Sequence, residues 1–435
     1  MGIAGFFRNL VGGRSANQIE PTPTAPAARA QAAAPAEAPG APAAMPKREE
    51  VLDARGRLAG YRFSRGAALA GMPGDGSYLG ALAAANLKAF ADRRLTIISA
   101  SLSECLSEGF AALVGPRTVF ELSAWLSGSE AALERIRQAG AGIAFPVAAV
   151  GTVPLLAGDI AVIDFSAYDF ASFERAAKAL KAQFPGVILA AENVATWSER
   201  RLCQALGIEY ALGGFLATAD TEDTSDKLNQ SRLVLIEMLN LLRAEADAAA
   251  VAEVAKRDPG VAVQVLAMAN SPVLGLASPI VGIDQAIMVL GRETLYRWLA
   301  VAVFRAGSGD HDEALLEVAL ARARFLELIG QLGLSKKEAD ELFLVGLLSF
   351  AEALLGQPME HLAKRIHLPQ PVEDVLVRSE GRYARYLRLA MVTERGDGAR
   401  ARELAEAVGI EAETLDAYRG VAQLWAEEAL RQNRS

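Results

Sequence analysis

Histidine occurs three times in 435 residues, at His311, His361 and His367, and cysteine twice, at Cys105 and Cys203. No histidine belongs to an HExxH, HxH or HD pair. The stretch "GSGDHDEA" flanks His311 with Asp310 and Asp312, but a metal there would need carboxylates converging from elsewhere. Its composition is that of a loop running into a helix, which is the preferred reading; a hydrolase built on it ranks last. The cysteines are far apart and form no CxxC, which excludes a disulfide scaffold and suits a reducing cytoplasm. Phosphate-cradling GxxxxGK[ST], a GxGxxG opening a helix after a strand, and the GxSxG nucleophile elbow are all missing, so no cofactor is expected. No Lys/Arg run stands out, and a net charge of −8 with pI near 5.3 argues against a nucleic-acid partner. Two uncharged runs, 139–158 and 259–283, are long enough to span a bilayer but are broken by prolines and polar residues. No transmembrane segment is expected. The N-terminus is too short and too interrupted for a secretory core, so a cytoplasmic protein is expected.

Alanine supplies much of the 52% hydrophobic content, and the length suits two or three domains. Residues 1–46 read as a tail and a Pro/Ala-rich tether. Within it Ile3, Phe6 and Phe7 would line an apolar side able to touch a partner or a membrane surface, though an unstructured tail tip is the preferred reading. Over 47–217, β-type runs such as "LTIISAS", "DIAVIDFS" and "GVILAAEN" alternate with helical stretches, including 79–92, 130–138, 170–183 and 198–206. That alternation predicts a mostly parallel sheet, open or closed. At roughly 170 residues it falls short of the ~250 of a full eightfold barrel, so a trimmed form is expected. The acidic stretch 218–226 reads as a linker. From 227 to 435 the periodicity is helical throughout, with helices expected at 247–256, 260–270, 284–304, 313–331 and 336–350.

Two groups of residues invite a chemical reading. Glu121, Asp164 and Glu192 stand near strand ends, where carboxylates converge at the C-terminal rim of a barrel. They would suit Mg²⁺, and equally are ordinary strand-end residues. The second group is the apolar helix that opens at Asp258 and Pro259, as an N-cap and first-turn proline would, and halts at Asn270, Ser271 and Pro272. Proline pushes Ser271 out of helical geometry, and no histidine, cysteine or carboxylate nearby would make it a nucleophile. The Asn270 amide is suited to bond freed carbonyls or loop amides, making the corner a latch between helices.

Together these positions resemble a bacterial two-domain architecture. "RDPGVAVQVLAMANSPVLGLASPIVGIDQAIMVLGRETLYRWL" (257–299) is similar to the core of an HDOD domain, a helical relative of HD-type hydrolases without their metal ligands. The N-terminal half resembles, more faintly, an EAL domain, the barrel that hydrolyses cyclic di-GMP with metal-bound carboxylates. The resemblance implies a multidomain chain: a degenerate, trimmed TIM-barrel-like α/β EAL domain followed by an all-α HDOD domain. It also implies losses. Arg62 stands at the EAL glutamate, Ser99 at a metal-binding asparagine, Pro146 and Val147 at two adjacent aspartates, and Val162 at a lysine. Ala195 replaces a second glutamate and Gly213 a glutamine, while Glu121, Asp164 and Glu192 are kept.

Two-metal phosphodiester cleavage needs several carboxylates to hold the ions and a base to activate water. Losing two aspartates and gaining an arginine at a ligand position removes that basis. The expectation is a non-catalytic signalling protein that acts through unidentified protein partners. The alternative is a receptor whose rim, with Arg62, Glu121, Asp164 and Glu192, binds a cyclic dinucleotide without cleaving it.

Overall fold

The computed structural model describes residues 46–65, 77–84, 87–122, 130–147, 155–220, 229–271, 274, 276, 278–306 and 310–431. Ile3, Phe6, Phe7, Pro272 and most of the 218–226 linker lie outside them.

Eight short strands close into a barrel in chain order. They are β1 (Pro46–Asp53), β2 (Leu58–Arg65), β3 (Leu95–Ala100), β4 (Thr118–Leu122), β5 (Gly142–Pro146), β6 (Ile160–Asp164), β7 (Ile188–Glu192) and β8 (Tyr210–Leu212). β1 runs antiparallel to both β2 and β8, and every other pair is parallel. Alternation along each strand sends every second side chain inward. Val51, Ile97, Val119, Ala144, Ile160, Val162, Ala190 and Leu212 thereby fill the interior as one apolar layer. β8 has three residues, and the described residues around the expected 79–92 helix form the helical segments Ser77–Ala84 and Leu87–Ala91. The helices Glu130–Gln138, Phe170–Gln183 and Trp197–Ala205 match their sequence patterns within a residue.

Beyond residue 229 the described chain is helical. The run expected at 284–304 is two helices, Ile283–Leu290 and Arg292–Arg305, because Gly291 adopts φ +75° and ends the first. Two compact units emerge. One contains 230–303 with the chain from Trp425; the other contains the barrel together with 304–424. The expected all-α segment 227–435 is therefore shared between the units, since Arg94 Nη2 on the barrel pairs with Glu317 at 2.7 Å and Arg48 Nη1 donates to Gln423 at 2.6 Å. Among the described residues no helix is long and apolar enough to cross a membrane. Both cysteines are buried free thiols, each pushed up to about 12 by burial.

Candidate functional site: the barrel rim

The inward alternation that builds the apolar layer also builds the layer above it. Two residues past Ile97, Val119, Ala144, Val162 and Ala190 stand Ser99, Glu121, Pro146, Asp164 and Glu192. Register confirms the ring, with Ser99 opposite Glu121 and Asp164 opposite Glu192. Because β1 is antiparallel, its rim residue precedes the core residue Val51 and is Glu49, paired with Arg62 on β2.

Arg62, 7% exposed, occupies the centre of this ring. Its Nη2 and Nε donate to Glu49 Oε2 at 2.8 and 3.1 Å, and its Nη1 donates to Glu192 Oε2 at 2.5 Å and Glu121 Oε1 at 3.3 Å. Lys47 Nζ sits 2.9 Å from the other Glu49 oxygen, and the Ser99 hydroxyl donates to Glu121 Oε2 at 2.5 Å. Burial alone would raise the Glu49 carboxyl, but Arg62 and Lys47 outweigh it and hold it below the usual range. Burial likewise opposes the Arg62 charge, and Glu121, Glu49 and Glu192 more than offset this. Asp164 faces a separate set of donors: the Ser166 amide at 3.0 Å, its hydroxyl at 2.7 Å, and Asn193 Nδ2 at 2.9 Å. Burial is the largest single influence and raises it, but these hydrogen bonds together outweigh it and lower the Asp164 carboxyl. Asn193 holds φ +57°, the left-handed region that asparagine tolerates better than most residues.

The remaining predicted positions carry no charge to the rim. Pro146 ends β5 opposite Val162, which belongs to the apolar core, and Val147 follows half-buried. Ala195 is exposed, and its amide donates to the Glu199 carboxylate that completes a helix-capping box with Thr196. Gly213 is at φ +147°, and a Cβ there would lie 2.0 Å from the Val194 carbonyl oxygen. No side chain fits that position as this backbone is built.

A metal pair needs free carboxylate oxygens in a common cavity. Here a permanently charged guanidinium already occupies the space among three of the four rim carboxylates, so the residues present do not fit such ions. Among the described residues no group of three His, Cys, Asp or Glu side chains is arranged for a metal. Glu49 was missing from the sequence expectations. The signal for it lies in its spacing of two from Val51, readable only once the reversed direction of β1 is known.

In the helical half, Asp258 accepts from the Gly260 and Val261 amides at 2.8 and 3.1 Å, and Pro259 opens the helix Pro259–Ala269. Asn270 brackets Ile280: its Nδ2 donates to the Ile280 carbonyl at 2.7 Å, and its Oδ1 accepts from the Ile280 amide at 2.7 Å. The same Nδ2 also donates to Leu266 O at 2.9 Å. Ser271 is buried, and its backbone joins Met268 and Leu274. Asp310 begins the helix Asp310–Gln331, while Gly309 and the side chains of Asp310 and His311 lie outside the described residues. His361 and His367 are exposed.

Residues 230–365 match the HDOD domain family. Over 214 residues the chain is 27% identical to the uncharacterized protein YuxH of Bacillus subtilis, covering 48% of this chain and 52% of that protein. It is 22% identical over 238 residues to the cyclic di-GMP phosphodiesterase CdgJ of Vibrio cholerae, 55% of each. The chain thus spans about half the length of these curated relatives. A solved EAL domain protein of Listeria monocytogenes is similar at 12% identity and a TM-score of 0.32, over 39% of this chain and 86% of that one. The chain thus carries a closed eight-stranded barrel followed by a segment that matches the HDOD family.

Proposed function

We propose that this chain, an EAL-like barrel followed by an HDOD domain, is a non-catalytic cytoplasmic protein of bacterial cyclic di-GMP signalling that acts by binding other proteins. The observation that carries the reading is the Arg62 guanidinium bonded to Glu49, Glu121 and Glu192. Like charges a few ångströms apart repel by several kcal/mol at effective protein dielectrics. A divalent cation entering this ring would meet Arg62 at once, and the Pro146–Val147 positions offer it no compensating carboxylate. Without ions to hold the phosphodiester and activate water, the barrel keeps its shape as a surface rather than a reaction vessel. The similarity to a relative named as a cyclic di-GMP phosphodiesterase supports the signalling class of this reading.

The test is an incubation of the whole chain with cyclic di-GMP and Mg²⁺ or Mn²⁺, read by chromatography, beside affinity capture of the tagged chain from its native cell. No linear product and a reproducible protein partner are expected. Turnover that Glu121→Gln abolishes would overturn the reading. Calorimetry with cyclic di-GMP separates the receptor alternative. The four Arg62 contacts leave its guanidinium engaged, so a flat titration is expected. Micromolar binding lost in Arg62→Glu would establish a receptor instead.

A further inference from the structure

The outer face of β1 and β2 carries a second site that shares no residue with the rim. Here the barrel wall meets the helices Ser77–Ala84, Leu87–Ala91 and Ala412–Arg431 around a cavity of about 60 Å³. Phe63, Leu82, Leu87, Phe90 and Leu424 make its apolar wall. Among the described residues its side-chain polar lining is two guanidinium groups, Arg48 and Arg419, and the Gln423 amide, with no carboxylate. Arg48 is 8% exposed. Its Nη1 donates to Gln423 Oε1 at 2.6 Å, its Nη2 lies 3.6 Å from Glu50 and its Cζ 5.0 Å from the Tyr61 ring centre, but its buried Nε has no hydrogen-bond partner among the described residues. Gln423 in turn donates to the Tyr61 hydroxyl at 2.7 Å, and Arg419 Nη1 donates to the Pro46 carbonyl at 2.8 Å, which holds the polar end in place.

We infer that this cavity binds a small carboxylate with an apolar body, its anionic end on Arg48 and its hydrocarbon among Phe63, Leu82, Leu87 and Phe90. A buried N–H donor without an acceptor is costly and calls for one. A guanidinium prefers a carboxylate, whose paired oxygens match its fork. The apolar wall excludes a bare, strongly hydrated ion, because a hydrocarbon body is what gains from leaving water there. At roughly 15 Å³ per water the cavity holds about four, so a small ligand group is the scale that fits. Nearby Glu394 is held by Arg322 through two bonds of 2.9 and 2.6 Å, and Glu317 by Arg94 at 2.7 Å. Both acids act on Arg48 through their charge, and they accept hydrogen bonds from Arg322 and Arg94.

The whole chain would be titrated with propionate, its neutral twin propionamide, and inorganic phosphate, followed by calorimetry and by methyl NMR of Leu82 and Leu87. Propionate is expected to bind at least about tenfold tighter than the amide and to shift both methyl signals, with phosphate inert. Leu87→Trp should fill the cavity and abolish binding while the chain keeps its circular dichroism spectrum. Equal binding of acid and amide, binding of phosphate alone, or no propionate binding up to about 10 mM overturns the assignment. Binding that survives in folded Leu87→Trp does so too. If that variant does not fold, the acid–amide comparison and the methyl shifts in the unaltered chain decide the question.

Discussion

A guanidinium keeps its charge at every accessible pH, so Arg62 cannot be titrated away from Glu49, Glu121 and Glu192. Removing it leaves three carboxylates facing one another in a mostly buried ring. Arg62→Gln should therefore cost about 3–5 kcal/mol, read by urea unfolding at neutral pH; a loss near zero would mean the ring relaxes freely. The pH dependence follows from Glu49. Its folded carboxyl lies below the ordinary value, so it binds fewer protons than the unfolded chain at mildly acid pH. The stability it contributes is present above about pH 4.3 and is lost as pH falls through the folded value. Unfolding titrations below about pH 4.3 should show this loss in the natural chain and a smaller one in Arg62→Gln. Gly213→Ala should destabilise by at least about 1–3 kcal/mol, because its Cβ would press on the Val194 carbonyl oxygen. Glu121, Asp164 and Glu192 were legible as strand-end residues, and Arg62 by resemblance alone. Their division into one arginine-bound trio and one separately bonded aspartate was not, because Glu49 comes from the reversed strand.

Elements ended where local chemistry ended them, and that was largely readable. Asp258 with Pro259 marks a helix start in any context, since the side chain caps and the proline needs no amide partner. The break at Gly291 was not readable, because glycine within a helical pattern carries no mark of whether tertiary packing will bend the chain there. Asn270 lies between these cases. Its amide was recognisable as a bonding group, but its partner Ile280 is ten residues away and only the fold supplies it. Asn270→Ala strips three hydrogen bonds and leaves the Ile280 amide and carbonyl without that bracket. It should cost about 1–3 kcal/mol in thermal or urea unfolding, with Asn270→Asp, which keeps only the acceptor, also impaired. An unchanged melting temperature together with lost capture of a partner would make the corner a docking surface instead.

At the scale of the whole molecule, composition and periodicity separate a barrel from a helical half, but they do not say which helices the barrel needs. The reason is physical: a helix records in its sequence that it has an apolar face, not which surface that face covers. The barrel and 304–424 share one compact unit. Three contacts fasten it from distant parts of the chain: Arg94 to Glu317, Arg48 to Gln423, and Gln423 to the Tyr61 hydroxyl. Arg48 and Tyr61 are both buried, and Tyr61 is fully enclosed. Cutting the chain at 226 would expose them together with Phe63 and Phe90, and would leave the Arg48 charge facing Glu50 without the Gln423 amide. The loss of packed apolar area and of two buried hydrogen bonds is comparable to the whole stability of a domain, about 5–15 kcal/mol. A fragment of residues 46–226 should therefore lack a cooperative thermal transition and show collapsed amide dispersion in NMR. A chain ending after 431 should melt cooperatively. If the short fragment folds with native dispersion, the barrel is self-sufficient and the helices beyond 304 are an attachment to it, not part of its core.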